Sequence, residues 1–202
     1  DIHNPSFLKI SPDKGTLYAV TRPPSQDGFV EACKITGNGK LSFINKQKSN
    51  GANPCHVDIS PDGTMVAVAN YGSGTTSLYH VNDNGGLSPA LSIIINKGSG
   101  PDKSRQSSPH AHSIKFSPSA EWVFSADLGT DHFNIYKIQK GEMIPAAQQF
   151  VKLPPGSGPR HFDFHPHEDV IYIINELNST VSAVKKQNQK WELFQTVSTL
   201  PQ

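Results

Sequence analysis

The stretch Asn-Pro-Cys-His-Val-Asp-Ile-Ser-Pro-Asp at residues 53–62 is one of four related segments, and together they decide the fold. The other three occupy residues 4–13, 110–119 and 158–167, and in each an alternating apolar pattern leads to a proline. The prolines are spaced by 49, 57 and 48 residues, at Pro12, Pro61, Pro118 and Pro166. Repeats of this length with strand-like content are typical of β-propeller blades, each a four-stranded antiparallel sheet.

The second repeat contains the four strands of such a blade. Residues 56–60 alternate between polar and apolar, and Pro61-Asp62-Gly63 has the composition of a tight turn, because glycine tolerates positive φ. Strands over residues 65–70, 76–81 and 91–96 complete the unit. The second strand of every repeat is almost wholly apolar, which indicates burial on both faces between neighbouring blades.

We therefore predict an all-β chain, a single partial β-propeller over residues 1–202. The four predicted blades span approximately residues 4–50, 53–97, 108–153 and 158–200. Blades of this size usually form rings of about six to eight, so we favour a piece of a longer ring over a small closed ring of four. An open arc would expose an apolar blade face at each end.

Composition narrows the class of protein. Hydrophobic residues make up 35% and charged residues 17% of the chain, with 16 glycines and 16 prolines, which suits a loop-rich all-β domain. A net charge of +1 without a long basic run argues against nucleic-acid binding, and no apolar run is long enough to cross a membrane. Two cysteines in different repeats favour a reducing, cytoplasmic location, although the first residue, Asp1, leaves an exported form open.

Residues at the same distance from the anchoring prolines occupy equivalent positions in successive blades and point at the same part of the central channel. Comparing them shows which positions form the hydrophobic core and which form the candidate site. Two and four residues before each proline the side chains are apolar and are predicted to form core, at Leu8, Ile10, Val57, Ile59, Ile114, Phe116, Phe162 and Phe164. Six residues before it the chain has Ser6, Cys55, His112 and Arg160. Ten residues after it the chain has Arg22, Tyr71, Leu128 and Glu176.

Arg160 and Glu176 are thereby placed at the same end of adjacent antiparallel strands, with His112 one blade earlier. We predict that these three residues face one another at one channel mouth and act in catalysis; a structural salt bridge between Arg160 and Glu176 is the alternative. His56 and His161 lie five residues before their prolines, and we predict substrate contacts for both. For His56, a buried histidine bonded to the next blade is equally compatible.

The longest repeat contains an extra glycine-flanked loop that ends at the candidate site. We predict that Arg105 and Gln106 in this loop, with His110 and Asp127 beside it, contact the substrate, since the guanidinium fork of arginine suits carboxylate or phosphate. A flexible surface insertion without a role in binding is the alternative. His110-Ala111-His112 could suggest a metal, as could His161, His165 and His167. Neither group has a carboxylate or cysteine nearby as third ligand, so we predict no metal and no cofactor.

Several motifs together resemble one known family. They are Asn-Pro-Cys-His-Val (53–57), Gly-x-Gly-Pro (98–101) with Arg-Gln following, Pro-His-x-His (109–112), Ala-Asp-Leu-Gly-x-Asp (126–131), Gly-x-Gly-Pro-Arg-His-Phe (156–162) and Asn-Glu-Leu-x-Ser (175–179). In this order they are similar to the bacterial lactonase family, which groups seven-bladed 6-phosphogluconolactonases with carboxymuconate-lactonizing enzymes. The resemblance covers essentially the whole chain.

The resemblance implies seven blades, so about three lie outside this chain and are needed as partners of these four. It also implies functional roles for His112, Arg160 and Glu176, which match the family's motifs, and a further basic residue beyond Gln202. We therefore expect hydrolysis of a small anionic sugar lactone such as 6-phosphogluconolactone, with Glu176 or His112 as general base. The alternatives are a carboxymuconate-type lactonizing enzyme and a non-catalytic propeller that serves as a binding scaffold.

Overall fold

Four separate antiparallel sheets of four strands make up the part of the chain that the structure, a computed structural model, describes: residues 2, 4–22 and 28–201. The first two sheets contain β1 (Pro5–Ile10), β2 (Thr16–Thr21), β3 (Phe29–Ile35), β4 (Leu41–Lys48), β5 (Pro54–Ile59), β6 (Met65–Asn70), β7 (Thr75–Val81) and β8 (Leu87–Ile95). The other two contain β9 (Ala111–Phe116), β10 (Trp122–Asp127), β11 (His132–Gln139), β12 (Glu142–Lys152), β13 (Pro159–Phe164), β14 (Val170–Asn175), β15 (Thr180–Gln187) and β16 (Lys190–Ser198).

Each sheet is a meander in which sequence neighbours pair, and the first strand lies innermost. This is the arrangement of propeller blades, and it confirms the predicted all-β, partial propeller fold. The last strand of the second blade begins at Leu87 rather than at residue 91, because Leu87 already pairs with Val81 of β7. Leu87 also exchanges hydrogen bonds with the Asn45 side chain of the first blade. Asp1, Gln202 and residues 23–27 within the first predicted blade lie outside the described residues.

The hydrophobic core lies between the blades rather than inside them. Strand β6 shows why, since Val66 and Val68 pack toward the first blade while Ala67 and Ala69 pack toward the third, all with no exposed surface. A third cluster joins the third and fourth blades around Phe124. Strand β6 is therefore almost wholly apolar because both of its faces are buried.

The two end blades depart from this pattern. Leu8 and Ile10 of β1 are 53% and 45% exposed, whereas their equivalents in the second blade, Val57 and Ile59, are buried. Strand β14 alternates between buried and exposed, with Tyr172 and Ile174 open to solvent. The prediction that Leu8 and Ile10 form core is wrong for the described residues, because no described blade covers the outer side of β1.

Charges alternate around the channel three residues before each anchoring proline. Lys9, Asp58, Lys115 and Asp163 occupy this position in the four blades, and they line a cavity of about 330 Å³. Lys9 Nζ lies 2.8 Å from Asp58 Oδ1, and Lys115 Nζ lies 3.0 Å from Asp163 Oδ1. The other oxygen of Asp58 accepts a hydrogen bond from the Phe116 backbone, so this carboxylate links three consecutive blades.

Turns at this end of the channel follow the predicted chemistry. At Pro61-Asp62-Gly63, the Gly63 amide donates to the Ser60 carbonyl over 2.8 Å, and Gly63 has a φ of +75°. Lys14 and Ala120 adopt positive φ at the equivalent positions without being glycine. The turn geometry is therefore imposed by the repeat and not by glycine alone.

Candidate active site

A β-bulge in the innermost strand of each blade builds the opposite channel mouth. At each bulge, two residues of the innermost strand lie opposite one residue of the second strand. One residue of the innermost strand is therefore left unpaired. These unpaired residues are Ser6, Cys55, His112 and Arg160. Bulges re-aim side chains and are enriched beside active sites, which explains why this position carries the large titratable groups.

Bulged residues reach from one blade toward the next along the rim. Ser6 Oγ donates to the Pro54 carbonyl over 2.6 Å, and Cys55 Sγ donates to the His112 carbonyl over 3.2 Å. The Cys55 thiol is buried, which raises its pKa to about 12 and leaves it an unreactive hydrogen-bond donor. The first two positions are therefore structural, which leaves His112 and Arg160 as the candidates for chemistry.

Arg105, Glu176 and Arg160 form an ion-paired cluster, here called the Arg–Glu–Arg triad. Arg105 Nη2 lies 2.6 Å from Glu176 Oε1, and Arg160 Nε lies 2.9 Å from Glu176 Oε2. The side chains of Arg105 and Arg160 are 41% and 48% exposed, so a solute can reach both guanidinium groups. Two cations held by one carboxylate leave a net positive site suited to an anionic group.

Glu176 is poorly suited to accept a proton in this setting. Burial alone would raise its pKa, but the hydrogen bond and charge of Arg105, with the charge of Arg160, hold the pKa of Glu176 below its ordinary value. Both carboxylate oxygens are already engaged by guanidinium groups. The structure favours a role for Glu176 in holding the two arginines.

His112 also has a lowered pKa, but for a different reason. Its ring is half-buried, and burial, followed by the charges of Arg160 and His161, lowers the pKa of His112 to about 4. The imidazole is therefore neutral near pH 7, and a pKa this low also makes it a weak base. Its Nδ1 atom is buried and has no hydrogen-bond partner among the described residues.

The remaining predicted histidines lie around His112. His161 has its ring centroid 5.3 Å from those of both His112 and His56. His56 is buried, stacks on Phe7 at 4.1 Å, and accepts a hydrogen bond at Nδ1 from the Ile114 amide of the next blade. Its geometry matches the structural alternative, whereas His161 remains open to the channel.

Gln106 and Asp127 do not reach a position from which they could touch a substrate. Both side chains are fully buried. Gln106 donates to the Leu128 carbonyl, while Asp127 accepts from the His110 and Gly129 amides and from Asn96. Each side chain holds backbone groups near the site in position. The geometry therefore favours a structural role for both residues over direct contact with a substrate.

Tyr71 belongs to the site although it was not predicted there. Its ring stacks on His110 at 4.5 Å and meets His112 edge-on at 5.5 Å, and its hydroxyl lies 3.5 Å from Arg105 Nη2. His110 is held in turn by a 2.8 Å hydrogen bond from Nδ1 to the Tyr71 carbonyl. The signal was present in the sequence, because Tyr71 occupies the position equivalent to Glu176.

Among the described residues, no group of three or more His, Cys, Asp or Glu side chains is arranged to hold a metal ion. His165 instead closes a turn, where its Nδ1 accepts hydrogen bonds from the amides of His167 and Glu168. This agrees with its place in the slot that serine occupies in the other three repeats.

Histidine burial predicts how stability depends on pH. Burial lowers the pKa of His56, His112 and His161 below 6.5, so the unfolded chain binds protons that the folded chain excludes as pH falls from about 6.5 toward 4. Burial raises the pKa of Asp127 to about 6, which acts in the opposite sense over part of this range. Three groups outweigh one, and we expect the free energy of unfolding, measured with urea, to fall between pH 6.5 and 4.5.

A matched pair of variants tests this assignment. His112→Asn should reduce the pH dependence of stability, whereas His167→Asn, at an exposed turn, should leave it unchanged. An equal slope in the wild-type and His112→Asn chains would contradict the assignment to His112.

Comparison with known proteins decides the family. The family model described as "Lactonase, 7-bladed beta-propeller" matches residues 1–202. The chain belongs to this family. Within it, the chain is 34% identical over 201 residues to the 6-phosphogluconolactonase of Bacillus subtilis, covering 98% of this chain and 56% of that protein. It is 38% identical over 187 residues to the 6-phosphogluconolactonase of Formosa agariphila, covering 90% and 53%.

A solved structure with 28% sequence identity carries the same fold. The periplasmic gluconolactonase PpgL of Pseudomonas aeruginosa superposes with a TM-score of 0.87 at 28% identity, covering 98% of this chain and 58% of that one. The chain thus spans about half the length of the relatives it matches. No described residue lies in a helix long and apolar enough to cross a membrane.

Proposed function

We propose that this chain carries the catalytic rim of a lactonase that hydrolyses a phosphorylated sugar lactone of the 6-phosphogluconolactone type. The observation that carries the proposal is the Arg–Glu–Arg triad beside a neutral His112 at one channel mouth. Relatives that align with almost the whole chain are named 6-phosphogluconolactonase, which supports this choice of substrate.

His112 acts as the general base in this proposal. It takes a proton from water as the water oxygen bonds to the lactone carbonyl carbon, and a tetrahedral oxyanion forms. The ring carbon–oxygen bond then breaks, and the departing ring oxygen takes the proton from the imidazolium. A base that is unprotonated at neutral pH is available for the first step, and its protonated form supplies the acid for the second.

Arg160 and Arg105 provide the positive charge. One guanidinium stabilises the developing oxyanion and the other holds the anionic group of the substrate, while Glu176 fixes both in place before the substrate arrives. Preorganised charge of this kind acts without reorganisation during the reaction. The same mouth would accept a carboxylated lactone, so the substrate assay must compare both kinds of anion.

The proposed activity is tested on the complete polypeptide that the gene encodes. We expect hydrolysis of 6-phosphogluconolactone with a kcat/KM at least about tenfold above that for unphosphorylated gluconolactone, because a charged contact contributes roughly 1.5–3 kcal/mol. Rates should be equal with and without EDTA, since the arginines supply the charge. Turnover of carboxymuconate alone would assign the site to lactonizing chemistry, and absence of all turnover would favour a binding scaffold.

We place the activity in the cytoplasm. Cys33 and Cys55 are both free and buried, as is usual in a reducing compartment. The gluconolactonase of Pseudomonas aeruginosa is named as periplasmic, so cell fractionation that detects the protein in each compartment decides the location.

A further inference from the structure

Asp131 connects the two loops that deliver the arginines of the triad. It lies between β10 and β11, is 2% exposed, and has a φ of +57°. Its Oδ1 accepts hydrogen bonds from Gln106 Nε2 at 2.7 Å and from the Gly158 amide at 2.8 Å. Its Oδ2 accepts one from the Gly156 amide at 2.7 Å. One buried carboxylate is therefore satisfied by three donors from two different loops.

Each of these loops carries one arginine. Gln106 directly follows Arg105, and Gly158 stands two residues before Arg160. Both loops contain the sequence Gly-Ser-Gly-Pro, at residues 98–101 and 156–159. The bond to Gln106 fixes the first loop against Asp131, and the bonds to Gly156 and Gly158 fix the second.

The second loop also sets the position of Glu176. The Gly158 carbonyl accepts a hydrogen bond from the Glu176 amide at 2.8 Å, and the Ser157 carbonyl accepts one from the Leu177 amide at 3.1 Å. Arg105 and Arg160 thus lie one and two residues from groups bound to Asp131. The backbone of Glu176 is bonded directly to the second loop.

Close packing makes this arrangement stiff. A Cβ atom at Gly158 would lie 2.4 Å from the Leu177 side chain, and one at Gly100 would lie 2.4 Å from the Gln106 side chain. The loops cannot shift far without losing their bonds to Asp131, because the neighbouring side chains leave them no alternative space.

We propose that Asp131 is a positioning residue that sets the separation of Arg105 and Arg160, and so holds the triad ready for an anion. It does this without touching the triad side chains itself. The structural part of the proposal stands independently, whereas its kinetic consequence rests on the proposed lactonase function.

Asp131→Asn is the sharpest test. Asparagine tolerates positive φ, so the backbone is preserved. It has one acceptor oxygen in place of two, so it loses either the bond from Gly156 or the bonds from Gly158 and Gln106. With one acceptor lost, we expect hydrogen exchange at the amide that loses its partner, Gly156 or Gly158, to quicken roughly tenfold or more. The pKa of Glu176, followed by NMR, should rise as Arg105 and Arg160 drift away.

Kinetics on the complete polypeptide give a separate readout. Asp131→Asn should lower kcat/KM roughly tenfold, and should add little when Arg160 is already alanine, because residues that act through one another are not additive. Asp62→Asn is the matched control, since Asp62 also accepts backbone and side-chain bonds in a turn but lies at the other mouth. It should leave the Glu176 pKa and the kinetics unchanged.

An unchanged Glu176 pKa in folded Asp131→Asn protein would overturn the proposal, as would fully additive effects with Arg160→Ala. If Asp131→Asn does not fold, Gln106→Met removes only the bond between Asp131 and the loop that carries Arg105. The proposal then requires that this variant raise the pKa of Glu176. If the wild type shows no lactonase activity, the exchange and pKa measurements still decide the role of Asp131, and only the proposed function fails.

Discussion

His112→Asn is expected to lower kcat by about 10²–10⁴-fold while changing KM less than about threefold, because general base catalysis contributes to the transition state and little to substrate binding. Asparagine preserves polarity and approximate size at the bulge but cannot take a proton from water. Steady-state kinetics on the complete polypeptide with 6-phosphogluconolactone supply the measurement, after correction for spontaneous hydrolysis.

His167→Asn provides the matched control, because this histidine is exposed at a turn beyond β13. Its rates should equal those of the wild type. A kcat for His112→Asn within a few-fold of wild type would exclude His112 as the base and return that role to another group.

Arg160→Gln is expected to lower kcat/KM by roughly 10–150-fold, the loss that corresponds to one charge-assisted contact of about 1.5–3 kcal/mol. The same variant should also change the pH profile. After burial, the charge of Arg160 is the largest cause that lowers the pKa of His112 to about 4. Without it the pKa rises, so the acid limb of kcat/KM moves to higher pH and the rate at pH 5 falls relative to that at pH 7.5.

Arg160→Lys separates charge from geometry. Lysine keeps the positive charge and should leave the acid limb nearly where it is, but it lacks the planar fork and should lose part of the rate. An acid limb that stays fixed in Arg160→Gln would show that the charge of Arg160 does not control His112.

The fold could be predicted because the sequence contains two repeating patterns, one of two residues within strands and one of about 50 residues between blades. Alternation within residues 56–60 indicated strands, and the spacing of prolines such as Pro61 and Pro118 indicated blades. What could not be predicted was which blade faces would be covered. Leu8 and Val57 occupy equivalent positions, yet only Val57 is buried, since burial depends on the neighbouring blade and not on the residue.

The site could be predicted in part for a similar reason. Antiparallel pairing fixes the end of the blade at which Arg160 and Glu176 lie, so counting from a proline placed them together, and the structure shows the ion pair at 2.9 Å. Their catalytic roles, and that of His112, remain proposals. Gln106 and Asp131 could not be assigned in this way, because loop side chains bind whichever backbone groups the loop conformation presents.

The alternating charges around the channel, at Lys9, Asp58, Lys115 and Asp163, limit the number of blades that a fully alternating ring can have. Two signs can alternate without interruption around a ring only if the number of blades is even. A ring of seven blades, the number that describes this family, could therefore not alternate throughout, and at least one of its junctions would repeat a sign or carry no charge.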